Sequence, residues 1–393
     1  MPTFKNSYVI TNRLHPWNTV FDIEPLPGGT MWFFTAPSPY DPETSDYQAV
    51  AQTPSTTAPA SFLSALTADL QAQGSSPQLT ILIHGLSTLL SDAIGGLSQM
   101  GNGLQQYANY GGLVIVFDWP SFDEIESGLD YSILPYSFPP TATSGSIRGN
   151  VNGSAAAFQN LLAMIASLQG SLPGLQVNVV CHSEGNYMLM LGLYYLAQSG
   201  GTARLSEVLL LAADINNGAL QEAPADALTG QGLAIAQNSS RVTVYSTTND
   251  TVLAGSELVY ELFHNSEYLG RLGLEGPASF ASGALAGNVI GLDCSAVINR
   301  QALQGILPPN ILLHSAYFYV PQILADIAAT LNGTAAGQIP NRVATGAQDG
   351  QQYAMQLQPQ QQVRSVRRAS PRVAAARLPG VAPPGGGPTG PTP

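Results

Sequence analysis

The residues best suited to covalent chemistry are Cys181-His182-Ser183-Glu184-Gly185, set between the β-branched run VNVV and the helix-compatible stretch NYMLMLGLYYL. A small residue two before a Ser and a Gly two after it, between a buried strand and a helix, is the spacing of a nucleophile elbow. There the Ser sits on a tight, strained turn that tolerates no bulky neighbours. The turn lifts the hydroxyl off the sheet edge, and the helix that starts there aims backbone N–H groups at an oxyanion forming nearby. Cys181 stands where Gly is usual, but Cys is small and readily buried. The chemistry indicated is attack of the Ser183 hydroxyl on an acyl carbon. Serine is a poor nucleophile at neutral pH, so a base must take its proton and an acid must orient that base. With acid and base following the nucleophile in the chain, the base is His264 or His314. Asp214 and Asp250 are the candidate acids, because each ends a β-rich run, LSEVLLLAAD and RVTVYSTTND.

Such groups meet only if strands and helices alternate around one sheet. SYVIT (7–11), TVFDI (19–23) and TMWFFTAP (30–37), punctuated by Pro27-Gly28-Gly29, read as antiparallel edge strands with a hairpin. SFLSALTADLQAQG (61–74) reads as a helix capped by Ser61 and closed by Gly74. LTILIHGL (79–86) and GLVIVFDWPS (112–121) are buried strands by composition, separated by a helix-compatible stretch over 88–109. SAAAFQNLLAMIASLQG (154–170) places Phe158, Leu161, Leu162, Ile165 and Leu168 on one helical face. The expected class is therefore α/β, a mostly parallel sheet with helices on both faces, N-terminal antiparallel edge strands, and functional loops at the strands' carboxyl ends. Segment 119–150, rich in Pro, Tyr and Gly, has no period, and an excursion of that size reads as a lid or substrate loop. Its aromatics Trp119, Tyr131 and Tyr136 either line the substrate pocket or pack the loop onto the core.

Composition removes several classes. Charged residues are only 10% and the net charge is −12, which argues against a nucleic-acid partner. No His, Cys or carboxylate cluster has metal-ligand spacing and no glycine-rich phosphate loop is present, so neither metal nor cofactor is expected. Cys181 and Cys294 read as free and buried. The N-terminus lacks the apolar run of a signal peptide and no stretch approaches 18 uninterrupted apolar residues. The expectation is a soluble protein without a transmembrane segment, cytoplasmic by default, whose export would need a route the sequence does not display. Residues 356–393 combine Gln, Arg, Pro and Gly without periodicity and cannot bury enough surface to order themselves. The expected division is one domain over 1–338 and a disordered tail over 339–393.

YVITNR (8–13), HGLSTLLSDA (84–93), FDWPS (117–121), CHSEGN (181–186), LLAADI (210–215), ND (249–250) and LHSAYF (313–318) succeed one another along the chain. With these motifs the chain resembles the α/β-hydrolase fold family, more narrowly a group of α/β hydrolases of unknown function, from near the N-terminus to about residue 325. The resemblance implies a serine hydrolase that cleaves a carboxylic ester through an acyl-enzyme. It implies Ser183 as nucleophile, His314 as base and Asp250 as acid, with Asp214 the alternative acid. His84-Gly85 closes a buried strand where that fold places its second oxyanion donor, which implies the N–H groups of Leu86 and Glu184 as the pair. His264, Asp118 and Asp293 then have structural roles, the His84 side chain is a strand-end group hydrogen-bonded to backbone, and that of His182 packs. The implied partner is a small-molecule or lipid-like ester. Rival readings are an amidase or acyltransferase on the same triad, and a non-catalytic scaffold that keeps the fold.

Overall fold

The apolar runs pair into one eleven-stranded sheet, ordered β10-β11-β9-β8-β7-β6-β4-β5-β1-β2-β3. The strands are β1 Ser7–Thr11, β2 Trp32–Ala36, β3 Gln48–Ala49, β4 Gln78–Ile83, β5 Leu113–Asp118, β6 Gln176–His182, β7 Leu205–Leu211, β8 Ser239–Ser246, β9 Val289–Asp293, β10 Arg342–Ala344 and β11 Gln352–Met355. The computed structural model describes residues 4–16, 24–37, 47–86, 88–121, 147–215, 219–220, 232–255, 269–275, 286–308, 311–347 and 350–357. All of these belong to one unit, Met1–Leu357, and Gln358–Pro393 form a second unit outside the described residues.

From β1 through β5, β4, β6, β7, β8 and β9 to β11 every pairing is parallel. β2 and β3 at one edge and β10 at the other pair antiparallel with their neighbours. Strands covered on both faces must be apolar at successive positions rather than alternate ones. β5, LVIVFD, is buried at all six of its residues. The helices are α1 Ala60–Gln71, α2 Leu90–Ala108, α3 Ile147–Ser171, α4 Gly185–Gln198, α5 Leu233–Gln237, α6 Leu269–Leu272 and α7 Pro321–Leu331. α2 packs on α7 and α3 packs on α4. Phe158 of α3 meets Phe117 of β5 with ring centroids 5.1 Å apart.

The order β7-β6-β4-β5 positions the site. From β4 the chain moves outward to β5, then returns to the far side of β4 as β6 and proceeds to β7 and β8. The strand order therefore reverses between β4 and β6, where such sheets open a crevice at their carboxyl ends. Ile83 of β4 is in register with Cys181 of β6, so His84-Gly85-Leu86 and Ser183 leave the sheet side by side.

Three expectations are corrected. α1 starts at Ala60, with Pro59 rather than Ser61 at the cap position. α3 begins at Ile147, inside the segment read as aperiodic, where Gly149 and Asn150 are poor helix formers that gave no helical signal. The body does not end at 338: β10 and β11 extend the sheet, β11 pairing with β9. Sequence 339–355 shows only RVA and QYAM as apolar fragments, too brief for a period, and side-chain chemistry holds them instead. Arg342, buried at the start of β10, places Nε 2.8 Å and Nη2 2.6 Å from the two Asp326 oxygens, with Nη2 also 2.7 Å from Thr330 Oγ1. The Tyr245 hydroxyl, which burial pushes well up in pKa and so keeps protonated, donates to Asp326 at 2.7 Å. The strand TVFDI lies outside the described residues. Arg342→Ala leaves the Asp326 carboxylate buried without its partner. It should cost about 3–5 kcal/mol, read from urea unfolding midpoints.

Candidate active site

β6 ends at His182 and α4 begins at Gly185, so Ser183 occupies the turn between them, with φ +54°. That left-handed backbone costs a non-glycine residue about 1–3 kcal/mol unless its surroundings hold it. Ser183 N–H donates to Leu211 O at 3.0 Å, and Ser183 O receives the amides of Asn186 at 3.1 Å and Asp214 at 3.3 Å. The Asn186 side chain closes the clamp, with Nδ2 2.8 Å from Ser183 O and 3.3 Å from Leu211 O. Two glycines permit the turn to rest on the end of β4. A Cβ on Gly185 would meet Ile83 O at 2.7 Å and His84 O at 2.6 Å, and one on Gly85 would meet Ser183 Cβ at 2.7 Å. Gly85, the residue before Leu86, is thereby held against the nucleophile, and Glu184 already has helical φ and ψ as the cap residue of α4.

The acid and the base come from the next strand end and from a 3₁₀ turn, Leu313–Phe318. Asp250 follows β8 and is 1% exposed, with Oδ1 accepting the amides of Val252 and Leu253, each at 3.0 Å. His314 Nδ1 lies 2.6 Å from Asp250 Oδ2. Burial pushes this carboxyl up, but the His314 hydrogen bond and charge and the Leu253 amide outweigh burial and hold it below the usual carboxylate range. An ionised carboxylate only accepts, so Nδ1 of His314 donates and Nε2 is left to receive a proton. Asn249 pins the acid loop, its Nδ2 reaching Ser295 O at 3.0 Å and Ile298 O at 2.9 Å.

His182, the residue before the nucleophile, ties the elbow to the base. Its Nε2 donates to His314 O at 2.8 Å, its ring centroid lies 4.7 Å from that of His314, and Phe318 packs edge-on at 5.1 Å. Burial and the neighbouring His314 push the His182 pKa down to about 3, so the ring stays neutral and keeps its donor.

The sequence pattern of the family described as "Alpha/beta hydrolase of unknown function (DUF900)" matches residues 58–306, more than half of the chain. The chain belongs to that family. Among solved structures, TT1662 from Thermus thermophilus is similar at 16% identity over 66% of this chain and 90% of its own, with a TM-score of 0.34. A hyperthermophilic esterase from the archaeon Pyrobaculum calidifontis is similar at 12% identity over 66% and 76%, with a TM-score of 0.32. A cutinase-like protein from Cryptococcus sp. is similar at 12% identity over 67% and 98%, with a TM-score of 0.27. No curated protein matches the chain significantly. The fold assignment rests on the family match and the strand order. No helix among the described residues is long and apolar enough to cross a membrane.

The remaining candidates of this α/β hydrolase fall on either side of the site. Asp214, 1% exposed, follows β7 and bonds Ser183 O through its backbone, whereas Asp250 is the carboxylate on His314. Trp119, read as lining the substrate pocket or packing the loop onto the core, is fully buried. Its ring stacks on His84 at 5.7 Å and 1°, and its Nε1 donates to His84 O at 3.0 Å, so it braces the β4 end from behind. Tyr131, Tyr136, His264 and residues 122–146 of the expected lid lie outside the described residues. Cys181 is buried, and burial pushes its thiol up, which leaves it unreactive. Asp293 accepts from Ser295 N at 2.8 Å and shapes the loop beside Asp250. A polar groove of about 500 Å³ lined by Gln169, Arg204, Asn238 and Ser240 opens at the amino ends of β7 and β8, remote from these side chains. Sequence reasoning missed the clamp of Asn186 and the grip of His182, although both lie in the motif CHSEGN; their types were visible but not their backbone partners.

His182 generates a pH prediction. Its unfolded value is near 6.5 and its folded value about 3, so between these the unfolded chain binds a proton that the fold excludes. Stability is full above pH 6.5 and falls as pH drops toward 3. His182→Gln keeps a donor for His314 O without titrating. Its urea midpoint should fall less than that of wild type between pH 7 and 4.

Proposed function

We propose that this α/β hydrolase is a serine hydrolase that cleaves a carboxylic ester, small or lipid-like, through an acyl-enzyme. The observation that carries this reading is His314 bonded to Asp250 at 2.6 Å, with its ring against the residue preceding the strained Ser183. Ser183 Oγ attacks the ester carbon while His314 Nε2 takes its proton, and Asp250 holds the tautomer and stabilises the imidazolium. The negative charge that develops on the carbonyl oxygen is met by the N–H groups of Leu86 and Glu184. Collapse expels the alkoxide, which leaves with the proton from His314. Water then attacks the acyl-enzyme by the same route, releasing the acid and restoring Ser183. Leu312, two residues before the base and 56% exposed, supports an apolar flank for the acyl or alcohol group.

A fluorophosphonate should label the wild-type protein at Ser183, and Ser183→Ala should abolish both labelling and p-nitrophenyl ester turnover without changing the melting temperature. Residual turnover above about one hundredth of wild type would refute Ser183 as nucleophile. Asp250→Asn should lower kcat by about 10⁴-fold, because an amide stabilises the wrong imidazole tautomer. If Asp214→Asn collapses kcat and Asp250→Asn does not, the acid has been misassigned.

A further inference from the structure

The loop that follows β4 is tied down by side-chain hydrogen bonds from the β5 side. His84 Nδ1 lies 2.8 Å from Gly85 O, and since a carbonyl oxygen only accepts, Nδ1 carries the hydrogen. Nε2 of the same ring lies 2.9 Å from Asp118 Oδ1, a carboxylate oxygen that also only accepts, so the ring donates from both nitrogens. Asp118, fully buried at the end of β5, receives Arg13 as a two-pronged donor, Nε at 2.8 Å and Nη2 at 2.9 Å, and the Thr11 hydroxyl at 2.5 Å. Arg13 is itself 2% exposed, and its Nη2 reaches past the carboxylate to Thr88 O at 2.6 Å. Thr88 Oγ1 adds a second donor to Gly85 O at 3.1 Å, and Ser121 Oγ accepts from the Thr88 amide at 3.1 Å. Three separate sequence motifs, from β1, β4 and β5, thus converge on one short loop.

Sheet order gives this arrangement a direction. β4 lies between β5 and β6, so the His84 ring, bonded to Asp118 and stacked on Trp119, occupies the β5 side, while Ser183 stands on the β6 side. Gly85 O is drawn toward that ring. In a trans peptide the next N–H points opposite to the carbonyl, so the Leu86 N–H is aimed toward the β6 side. Gly85 itself approaches Ser183 closely enough that a Cβ would lie 2.7 Å from Ser183 Cβ.

We propose that Arg13, Asp118 and His84 form a positioning relay that presets the Gly85–Leu86 peptide as an oxyanion donor facing Ser183. The inference rests on the serine-hydrolase reading above for its catalytic consequence, but its geometric part does not. None of the three touches substrate: Arg13 fixes the carboxylate, the carboxylate fixes the ring, and the ring fixes the peptide plane. An N–H aimed before the substrate arrives needs no reorganisation when charge develops, which is where such donors contribute most. The guanidinium fork matters because Lys cannot hold both carboxylate oxygens and Thr88 O at once.

The test uses the full chain in wild-type, His84→Ala, His84→Asn and Arg13→Lys forms, with three readouts: kcat and KM on a short p-nitrophenyl ester, melting temperature, and amide hydrogen exchange over residues 84–90. His84→Ala should lower kcat at least about tenfold, up to the ~10²–10³-fold of a lost oxyanion donor, with KM within about threefold. Exchange over 84–90 should accelerate in the same variant. His84→Asn, whose amide can donate to the same carbonyl, should recover most of both, and Arg13→Lys should reproduce the signature of His84→Ala. The proposal is overturned if His84→Ala keeps kcat within threefold of wild type, if exchange over 84–90 is unchanged, or if both His84 variants lose melting temperature alone. Should Arg13→Lys not fold, the two His84 variants decide the matter. A wild-type protein that neither turns over ester nor labels at Ser183 defeats the hydrolase reading, and the exchange comparison then decides the positioning of the loop by itself.

Discussion

Everything in the site depends on one close approach, that of the turn after β6 to the end of β4. Ser183 adopts a left-handed backbone there, and Gly185 and Gly85 leave room for two chain segments to touch without intervening side chains. The strain is local, but what holds it is distributed: Leu211 O from β7, the Asp214 amide and the Asn186 side chain all close on the same peptide. A parallel sheet whose order reverses between β4 and β6 is what brings those strand ends together.

Two buried aspartates sit at strand ends on opposite sides of this approach, each bonded to a histidine, and their surroundings separate their roles. Asp118 is shared with Arg13, and the His84 it touches is stacked on Trp119 and turned into the protein. Burial raises the Asp118 carboxyl, but the Arg13 charge and the His84 hydrogen bond overcome that and hold it well below the usual range. Asp250 meets no arginine in its described hydrogen bonds; backbone amides and His314 share its charge, so a proton arriving on His314 is the charge that completes that pair. Similar pairs thus serve as a fixed strut in one case and, in the proposed reaction, as a proton acceptor in the other.

Much of this was legible in the sequence. The continuous runs around Ile81, Ile115 and Val179 can only be strands covered on both faces, and the break at Ser183 into a helix located the elbow. Asp250 and His314 stood among the candidate acids and bases, and their side chains are in contact. What escaped were features whose information lies in partners distant along the chain. Trp119 left pocket lining and core packing both open because it begins an aperiodic segment, and its ring stacks on His84. β10 and β11 are too short to show a period, and Asp326 and Thr330, sixteen and twelve residues before Arg342, help hold the chain in the sheet. Arg13 stood in the motif YVITNR without a role of its own, since nothing nearby in sequence announces a buried carboxylate at position 118.

The clasp between Arg342 and Asp326 also bears on how this protein is made. During synthesis α7 leaves the ribosome with Asp326 before Arg342 has emerged, so a chain that has otherwise completed β1 through β9 carries a carboxylate destined for burial without its cation. It also carries an open parallel edge at β9, the kind of exposed ladder that invites pairing with another chain. Closure therefore belongs to the last residues of the sheet, and the nascent protein passes through an interval in which its proposed catalytic groups all exist while its far edge remains exposed to aggregation and proteolysis.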